Sequence, residues 1–221
     1  RTTGALPATG ELTTEAVRSA LGRAPRPVRS AGFDLPVRLP RLCAGCPHTD
    51  SFDALRAAIG DDRDAVITSD IGCYALGALP PHHIADSLVC MGASVGMAMG
   101  AAQAGVERVV ATIGDSTFLH SGVGALLDAA QANTPMTLII LDNETVAMTG
   151  GQTPAAPPER IEKIVLGLGV SPDHVVTLKP SHALVEENAA KLRQEIDYRG
   201  LSVVIARRSC IKTAKTARSS V

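Results

Sequence analysis

Short apolar runs rich in β-branched residues alternate along the chain with longer stretches in which apolar residues recur at helical spacing. The short runs predict β-strands at 65–68, 84–90, 109–113, 137–141, 174–178 and 201–206. The longer stretches predict helices at 52–59, with Ser51 as N-cap, and at 91–102, 119–133, 158–168 and 181–198. Strands that alternate with helices predict an α/β fold: a parallel β-sheet flanked by helices on both faces, with ligands beyond the carboxyl ends of the strands.

The first 40 residues follow a different pattern. Thr13 and Thr14 precede residues 15–21, which read as a short capped helix that ends at Gly22. Four prolines and scattered arginines between 23 and 40 predict a surface linker. We therefore predict two parts, a helix and Pro-rich linker at 1–40 that belong to a preceding domain, and a ligand-binding domain at 41–221. Because the chain begins with Arg, we expect a piece of a longer polypeptide.

Polar residues follow two consecutive strands of the predicted sheet. The run that ends at Gly114 is followed by Asp115 and Ser116, a strand-turn-helix junction that offers a carboxylate and backbone N–H groups to a phosphate held through a metal. The next strand is followed by Asn143 and Thr145. A lone aspartate at a strand end is more often a helix cap, but two such turns at one sheet edge predict a Mg²⁺ site made of Asp115, Asn143 and the Thr145 carbonyl.

Four of the five cysteines are also candidate metal ligands. Cys43 and Cys46 have the C-x-x-C spacing, which alone is compatible with zinc, a redox pair or chance. Cys73 and Cys210 follow strands at the edge where ligands are expected, so four thiolates can converge as a [4Fe–4S] cluster requires. Structural zinc is the main alternative. Cys90 has apolar neighbours and reads by itself as a buried small hydrophobe.

Two stretches, 114–122 and 141–152, resemble the thiamine diphosphate signature of the 2-oxoacid:ferredoxin oxidoreductases. Within that superfamily, the stretches 43–48, 70–74 and 90–94 look most like the large subunits of indolepyruvate ferredoxin oxidoreductases. The resemblance runs from about Leu6 to Cys210. It implies the thiamine diphosphate-binding fold for 41–221, and it matches Cys43, Cys46, Cys73 and Cys210 to cluster ligands.

The resemblance also implies which residues contact the cofactor. Asp115, Asn143 and the Thr145 carbonyl would hold Mg²⁺ and the diphosphate. Ser116 stands where many thiamine enzymes have glycine, and it keeps the backbone N–H, so we expect binding to be retained. The full set of implied cofactor contacts is Gly72, Cys73, Cys90, Gly92, Gly114, Asp115, Ser116, Thr117, Asn143, Thr145, Met148 and Thr149.

Two histidines inside the signature stretches, His48 and His120, are the catalytic candidates. A lone histidine is usually a surface or satisfied core residue, but imidazole titrates near neutral pH. Either could orient the carboxylate of a 2-oxoacid or move a proton.

The activity implied by the resemblance is oxidative decarboxylation of an arylpyruvate or indolepyruvate to acyl-coenzyme A, with electrons passed to ferredoxin. The implied partners are a pyrimidine-binding domain that supplies the activating glutamate, the small subunit, ferredoxin, the 2-oxoacid and coenzyme A. No glutamate of this chain lies in a matching motif, so we expect the chain alone to be catalytically incomplete.

Other functions remain open. A non-redox thiamine diphosphate-dependent decarboxylase would share Asp115 and Asn143 but would have no use for the four cysteines. A non-catalytic assembly module would use the small-residue helix 92–100 as an interface, and that face also predicts an oligomer. A dinucleotide-binding domain is disfavoured because the turn at Gly114 lacks the G-x-G-x-x-G spacing.

Composition excludes some classes of partner. The net charge is −1 and positive charges are dispersed, so we expect no nucleic-acid binding. The basic tail at 207–218 reads as a solvated terminus. No apolar run reaches the roughly 18 residues of a membrane span and no signal peptide is visible, so we expect a cytoplasmic protein without membrane contact.

Overall fold

The computed structural model describes residues 3–27, 32–34, 36, 38–60 and 65–213. The predicted linker at 23–40 and the basic tail at 207–218 therefore lie partly outside the described residues. The chain divides into two compact units, Arg1–Leu39 and Pro40–Val221. In the first unit, helix α1 spans Thr14–Ala20, and Thr13 is its N-cap, since the Thr13 Oγ1 accepts a hydrogen bond from the Ala16 N–H at 3.1 Å. This helix was predicted correctly.

The second unit contains a sheet of six described strands in the spatial order β2-β1-β3-β4-β6-β5. Every pairing between neighbouring strands is parallel, which confirms the predicted α/β class. The strands are β1 Val66–Ser69, β2 Ser87–Leu88, β3 Val109–Gly114, β4 Met136–Asp142, β5 Val175–Leu178 and β6 Leu201–Arg207.

Helices cover both faces of this sheet. The remaining helices are α2 Pro47–Ile59, α3 Ala93–Gln103, α4 Asp115–Thr117, α5 Val123–Gln131, α6 Pro158–Gly167 and α7 Val185–Asp197, with a π-helical turn, Phe118–Gly122, between α4 and α5. On one face, Ile113, Ile140 and Ile205 pack with residues of α3, α5 and α6. On the other, Leu141 and Val204 pack with residues of α2 and α7. Burial on both faces explains why the central strands are continuously apolar.

Several predicted boundaries were wrong by a few residues, and two of these differences have a clear physical reason. Helix α2 begins at Pro47 rather than after Ser51, because proline needs no hydrogen-bond acceptor for an N–H at the first helical position. The Ser51 Oγ donates to the Pro47 carbonyl inside the helix at 3.0 Å. The strand predicted at 84–90 is only Ser87–Leu88. Before it, the Ile67 N–H of β1 donates at 2.7 Å to the side-chain carboxylate of Asp86 rather than to a backbone carbonyl of a longer strand.

The small-residue helix α3 begins after Gly92, which has a left-handed backbone with φ of 87°. A Cβ added at Gly96 or Gly100 would meet nothing within 4 Å. No described residue packs against these two glycines, and the interface predicted for the small-residue helix stays a prediction. In the part of the chain that the structure describes, no helix combines the length and apolar character needed to cross a membrane.

Candidate functional site

The carboxyl ends of β1, β3 and β4 border a cavity of about 410 Å³, named here the Asp115 cavity. The register that pairs Gly114 with Leu141 brings the two predicted ligand turns side by side. Most of the predicted site residues line this cavity: His48, Gly72, Cys73, Gly114, Asp115, Ser116, Thr117, Asn143, Thr145, Met148 and Thr149. Cys90, Gly92 and His120 are not among its lining residues.

Asp115 is the charged residue of this cavity, and its side chain is incompletely satisfied. The residue is only 4% exposed, and its Oδ1 accepts from the Ser116 N–H at 2.8 Å. Its Oδ2 and the Ser116 Oγ are buried without a hydrogen-bond partner among the described residues. Burial raises the pKa of Asp115 to about 7, and the nearby Asp142 carboxylate adds to the rise. A buried polar atom of this kind calls for a ligand, and a cation would suit the carboxylate.

Asn143 and Thr145 form the second ligand turn, and both are buried. The Thr145 N–H donates to the Asn143 Oδ1 at 3.2 Å, and the Asn143 Nδ2 donates to the His48 Nε2 at 3.3 Å. Glu144 between them has a φ of 62°, a left-handed conformation that is uncommon for a residue other than glycine. The turn is therefore held in one conformation by side-chain contacts.

Tyr74 fills the space between the first two strand ends and was not predicted from the sequence. The residue is 3% exposed, its hydroxyl donates to the Ile71 carbonyl at 3.0 Å, and burial raises its pKa. A Cβ added at Gly114 would lie 2.5 Å from the Tyr74 Cε1, and one added at Gly72 would also collide with the ring. Thr117 donates to the same Ile71 carbonyl at 3.1 Å. These contacts hold the loop after β1 against the turn after β3.

The two candidate histidines lie in different surroundings. His48 is 3% exposed, and its ring meets the Tyr74 ring edge-on with 6.0 Å between centroids. Burial, together with the charge of Arg208, lowers the pKa of His48 to about 4, so the imidazole is neutral at neutral pH. His120 is exposed on the π-helical turn.

Two other carboxylates at this edge already have partners. Asp70 caps α3, because its carboxylate accepts from the Gly92 N–H at 2.8 Å and from the Ser94 N–H at 3.1 Å. Asp142 accepts from the Arg207 Nε at 2.7 Å. The Asp70 cap joins residues far apart in the chain, and no local pattern signals it. Gly92, predicted as a cofactor contact, uses its N–H in this cap.

A second cavity of about 200 Å³, named here the cysteine cavity, lies beside the first. Burial raises the pKa of the Cys46 and Cys73 thiols, and neighbouring thiols raise both further. All five cysteines are free, and Cys90 is exposed. Within the described ranges, no group of three or more His, Cys, Asp or Glu side chains is placed to hold one metal ion. The four cysteines predicted as cluster ligands all line this cavity: Cys43, Cys46, Cys73 and Cys210.

Arg208 connects the two chain segments that carry three of these thiols. Its Nη1 pairs with the Asp50 Oδ2 at 2.7 Å, and its Nη2 donates to the Gly45 carbonyl at 2.9 Å. The Cys210 N–H donates to the Asn143 carbonyl at 3.0 Å. The cysteine loop before α2 and the segment after β6 are thus fastened to each other and to the turn after β4.

The chain is similar in sequence to known proteins. Residues 70–206 match the family model described as thiamine pyrophosphate enzyme, C-terminal TPP binding domain. The indolepyruvate oxidoreductase subunit IorA of Archaeoglobus fulgidus is 42% identical over 185 residues, which cover 79% of this chain and 29% of the relative. IorA of Methanothermobacter marburgensis is 37% identical over 199 residues, 84% of this chain and 32% of the relative. The chain thus spans about a third of the length of these relatives.

A solved structure supports the fold. The 2-oxoglutarate:ferredoxin oxidoreductase from Magnetococcus marinus, determined with 2-oxoglutarate, coenzyme A and succinyl-CoA bound, superposes with a TM-score of 0.65 at 21% identity, covering 83% of this chain and 70% of that one. The comparisons confirm the resemblance and the fold class predicted from the sequence. Because the family model matches more than half of the residues, the chain belongs to the thiamine pyrophosphate enzymes and contains their C-terminal TPP-binding domain.

Proposed function

We propose that this chain is the thiamine diphosphate-binding domain of a 2-oxoacid:ferredoxin oxidoreductase that converts indolepyruvate or another arylpyruvate to an acyl-coenzyme A and passes electrons to ferredoxin. The observation that carries the proposal is the pair of buried, unpartnered atoms, the Asp115 Oδ2 and the Ser116 Oγ, on the wall of a cavity that also contains Asn143. The names of the curated relatives support the substrate class.

The residues of the Asp115 cavity fit Mg²⁺ and a diphosphate. Asp115, the Asn143 Oδ1 and the Thr145 carbonyl offer the hard oxygens that Mg²⁺ prefers, and the diphosphate would complete its shell. Asp115 supplies the negative charge; burial raises the pKa of its carboxyl to about 7, and a bound cation would favour the ionised form. Thiamine diphosphate, when bound, serves as the electron sink for decarboxylation. The chain itself holds and orients the cofactor and excludes water from the diphosphate.

We also infer that Cys43, Cys46, Cys73 and Cys210 hold a [4Fe–4S] cluster, which supplies a one-electron acceptor. Four thiols lining one cavity support this assignment. The thiolates of a four-iron cluster bind four different irons and so stand farther apart than the ligands of one zinc ion. Structural zinc is the alternative occupant of these four thiols, and the iron and zinc content of the protein distinguishes the two. His48, Cys73 and Asn143 line both cavities, which would place donor and acceptor next to each other.

The remaining parts of the activity belong to the larger enzyme. The chain spans about a third of its curated relatives, so a pyrimidine-binding domain and a second subunit would supply the activating glutamate and the contacts to coenzyme A and ferredoxin. We place the enzyme in the cytoplasm, as an oligomer. His120 remains a candidate for contact with the 2-oxoacid once these other parts are present.

Calorimetric titration of thiamine diphosphate and Mg²⁺ into the native assembly tests the proposal, with iron and zinc measured in the same anaerobic sample. We expect Mg²⁺-dependent binding, about four irons per chain, and loss of binding in Asp115→Asn but not in the exposed control Asp128→Asn. Binding without iron after reconstitution would favour a non-redox decarboxylase. Absence of binding by the native assembly would reject the cofactor assignment.

A further inference from the structure

His48 lines the Asp115 cavity and contacts the side chain of one predicted metal ligand, Asn143. Its Nε2 lies 3.3 Å from the Asn143 Nδ2. Because an amide nitrogen carries only hydrogens to offer, the contact makes Asn143 the donor and the His48 Nε2 the acceptor. Both residues are buried, so each polar atom needs its partner inside the protein.

The orientation of the Asn143 amide decides whether oxygen or nitrogen is available to a cation. The Thr145 N–H donates to the Asn143 Oδ1 at 3.2 Å, and the Nδ2 is turned toward His48. A rotation of the amide by half a turn would place its NH₂ group against the Thr145 N–H, and the amide oxygen could then bond to His48 only in the tautomer that carries the proton on Nε2. The Thr145 N–H therefore selects this orientation, the tautomer of His48 with an unprotonated Nε2 matches it, and the Oδ1 keeps a second lone pair for a ligand.

The imidazole is itself held in place from two sides. His48 is the second residue of α2, directly after Pro47, so its backbone is fixed by the start of a 13-residue helix. Its ring packs edge-on against Tyr74, whose hydroxyl is bonded to the Ile71 carbonyl. A rigid acceptor of this kind can fix the amide more firmly than a mobile surface group or a water molecule can.

We propose that His48 is a positioning residue: its Nε2 holds the Asn143 side chain so that the amide oxygen is presented to the divalent cation. This inference rests on the proposed function, since it requires that Asn143 is a ligand of Mg²⁺. Residues that hydrogen-bond to metal ligands and so fix their orientation typically contribute about 10- to 100-fold to metal affinity. His48 thus acts through Asn143 rather than on the 2-oxoacid.

The test is the affinity for Mn²⁺, measured by electron paramagnetic resonance at saturating thiamine diphosphate. It uses the native assembly, that is, the complete enzyme with its other domains and subunits. We expect His48→Leu to weaken Mn²⁺ binding by about 10- to 100-fold. His48→Gln, whose side-chain oxygen can reach the Asn143 Nδ2, should restore most of the affinity, whereas the shorter His48→Asn should not. His182→Leu, the same substitution at an exposed histidine, is the control and should bind like the wild type.

A double-mutant cycle tests whether His48 acts through Asn143. In an Asn143→Ala background, His48→Leu should change the Mn²⁺ affinity by less than about twofold. An equal loss in both backgrounds would overturn the inference, and so would equal affinities for the Gln and Leu variants. Should the Leu variant fail to fold, the comparison of Gln with Asn decides the question.

The outcomes also separate this inference from the proposed function. If Asp115→Asn abolishes Mn²⁺ binding and His48→Leu does not change it, the positioning role is rejected and the cofactor site stands. If the wild-type assembly fails to bind Mn²⁺ with thiamine diphosphate, both are rejected.

Discussion

The two cavities at the carboxyl edge of the sheet are built differently, although they share five lining residues, His48, Cys73, Asn143, Ala147 and Met148. The Asp115 cavity is formed by strand ends whose alignment follows from the register of the sheet, as in the pairing of Gly114 with Leu141. The cysteine cavity is formed by segments outside the strands: its four thiols come from the segments before α2, after β1 and after β6, and the segment after β4 completes its wall. Its geometry depends on side-chain contacts, above all the ion pair between Asp50 and Arg208.

This difference predicts two kinds of sensitivity. A change at a strand end disturbs a site that is continuous with the core, so it should lower the free energy of unfolding of the whole domain. A change in the side chains that connect the cysteine segments should affect the thiols more than the core. The substitutions below test this contrast.

The largest effect is expected at Gly114. A methyl group there would collide with the Tyr74 ring, whose hydroxyl and neighbours prevent it from moving away. We expect Gly114→Ala to lower the free energy of unfolding by about 2–3 kcal/mol. Gly96→Ala is the matched control, because an added Cβ there meets nothing within 4 Å and lies within a helix. It should stabilise the domain by about 0.5–1 kcal/mol. Urea denaturation measures both, and equal effects would show that Tyr74 yields easily.

The second effect tests the cysteine cavity. Asp50→Asn removes the charge that pairs with Arg208 at 2.7 Å, where both side chains are largely buried. We expect a loss of about 1–2 kcal/mol and faster reaction of the buried thiols Cys46 and Cys210 with a thiol reagent in the ligand-free protein.

The control for Asp50 is an exposed pair of similar geometry. Lys191 and Glu187 are 2.7 Å apart on the surface of α7, and Glu187→Gln should change the free energy of unfolding by less than about 0.5 kcal/mol. Unchanged thiol reactivity in Asp50→Asn would mean that the sheet, and not this ion pair, aligns the cysteine segments.

The same contrast explains what the sequence could and could not predict. The placement of Asp115 and Asn143 at one edge of the sheet was predictable, because each directly follows an apolar strand and parallel strands bring such residues together. The cap that Asp70 makes on α3 and the pair of Asp50 with Arg208 were not predictable, since they join residues far apart in the chain. The ring of Tyr74 was missed for a related reason: a buried aromatic residue carries no pattern that reveals which glycines it faces.

The third prediction is that a substitution in the binding site stabilises the ligand-free protein instead of destabilising it. Burial raises the pKa of Asp115 from 3.8 to about 7, so the folded protein holds a proton that the unfolded chain releases. The stability contributed by this group is fully present below pH 4 and is lost as the pH rises through 7. Asp115→Asn should therefore stabilise the ligand-free protein by about 1–3 kcal/mol at pH 8 while abolishing cofactor binding.

Unfolding free energies of the ligand-free wild type and of Asp115→Asn across pH 4–8 measure this effect. The difference between the two should grow with pH and level off above pH 7, whereas the exposed variant Asp128→Asn should follow the wild type. A constant difference over this range would mean that Asp115 is ionised throughout and is satisfied by contacts other than a cation.

The smallest effect concerns two neighbouring hydroxyls. The Ser116 Oγ is buried without a partner among the described residues, while the Thr117 Oγ1 donates to the Ile71 carbonyl at 3.1 Å. Because a buried hydroxyl without a partner costs free energy in the ligand-free protein, Ser116→Ala should leave the free energy of unfolding unchanged or raise it by up to about 1 kcal/mol, whereas Thr117→Val should lower it by about 1 kcal/mol.

In the presence of Mg²⁺ the effect of Ser116 should emerge. If its hydroxyl faces the diphosphate, Ser116→Ala weakens thiamine diphosphate binding by about 2- to 10-fold, the value of one hydrogen bond. Calorimetry of the native assembly measures this affinity alongside the denaturation of the ligand-free protein. A variant that loses stability but keeps its affinity would assign the Ser116 hydroxyl to the fold. Among the described residues that line the Asp115 cavity, the Asp115 Oδ2 would then be the one unpartnered side-chain atom left to mark the ligand.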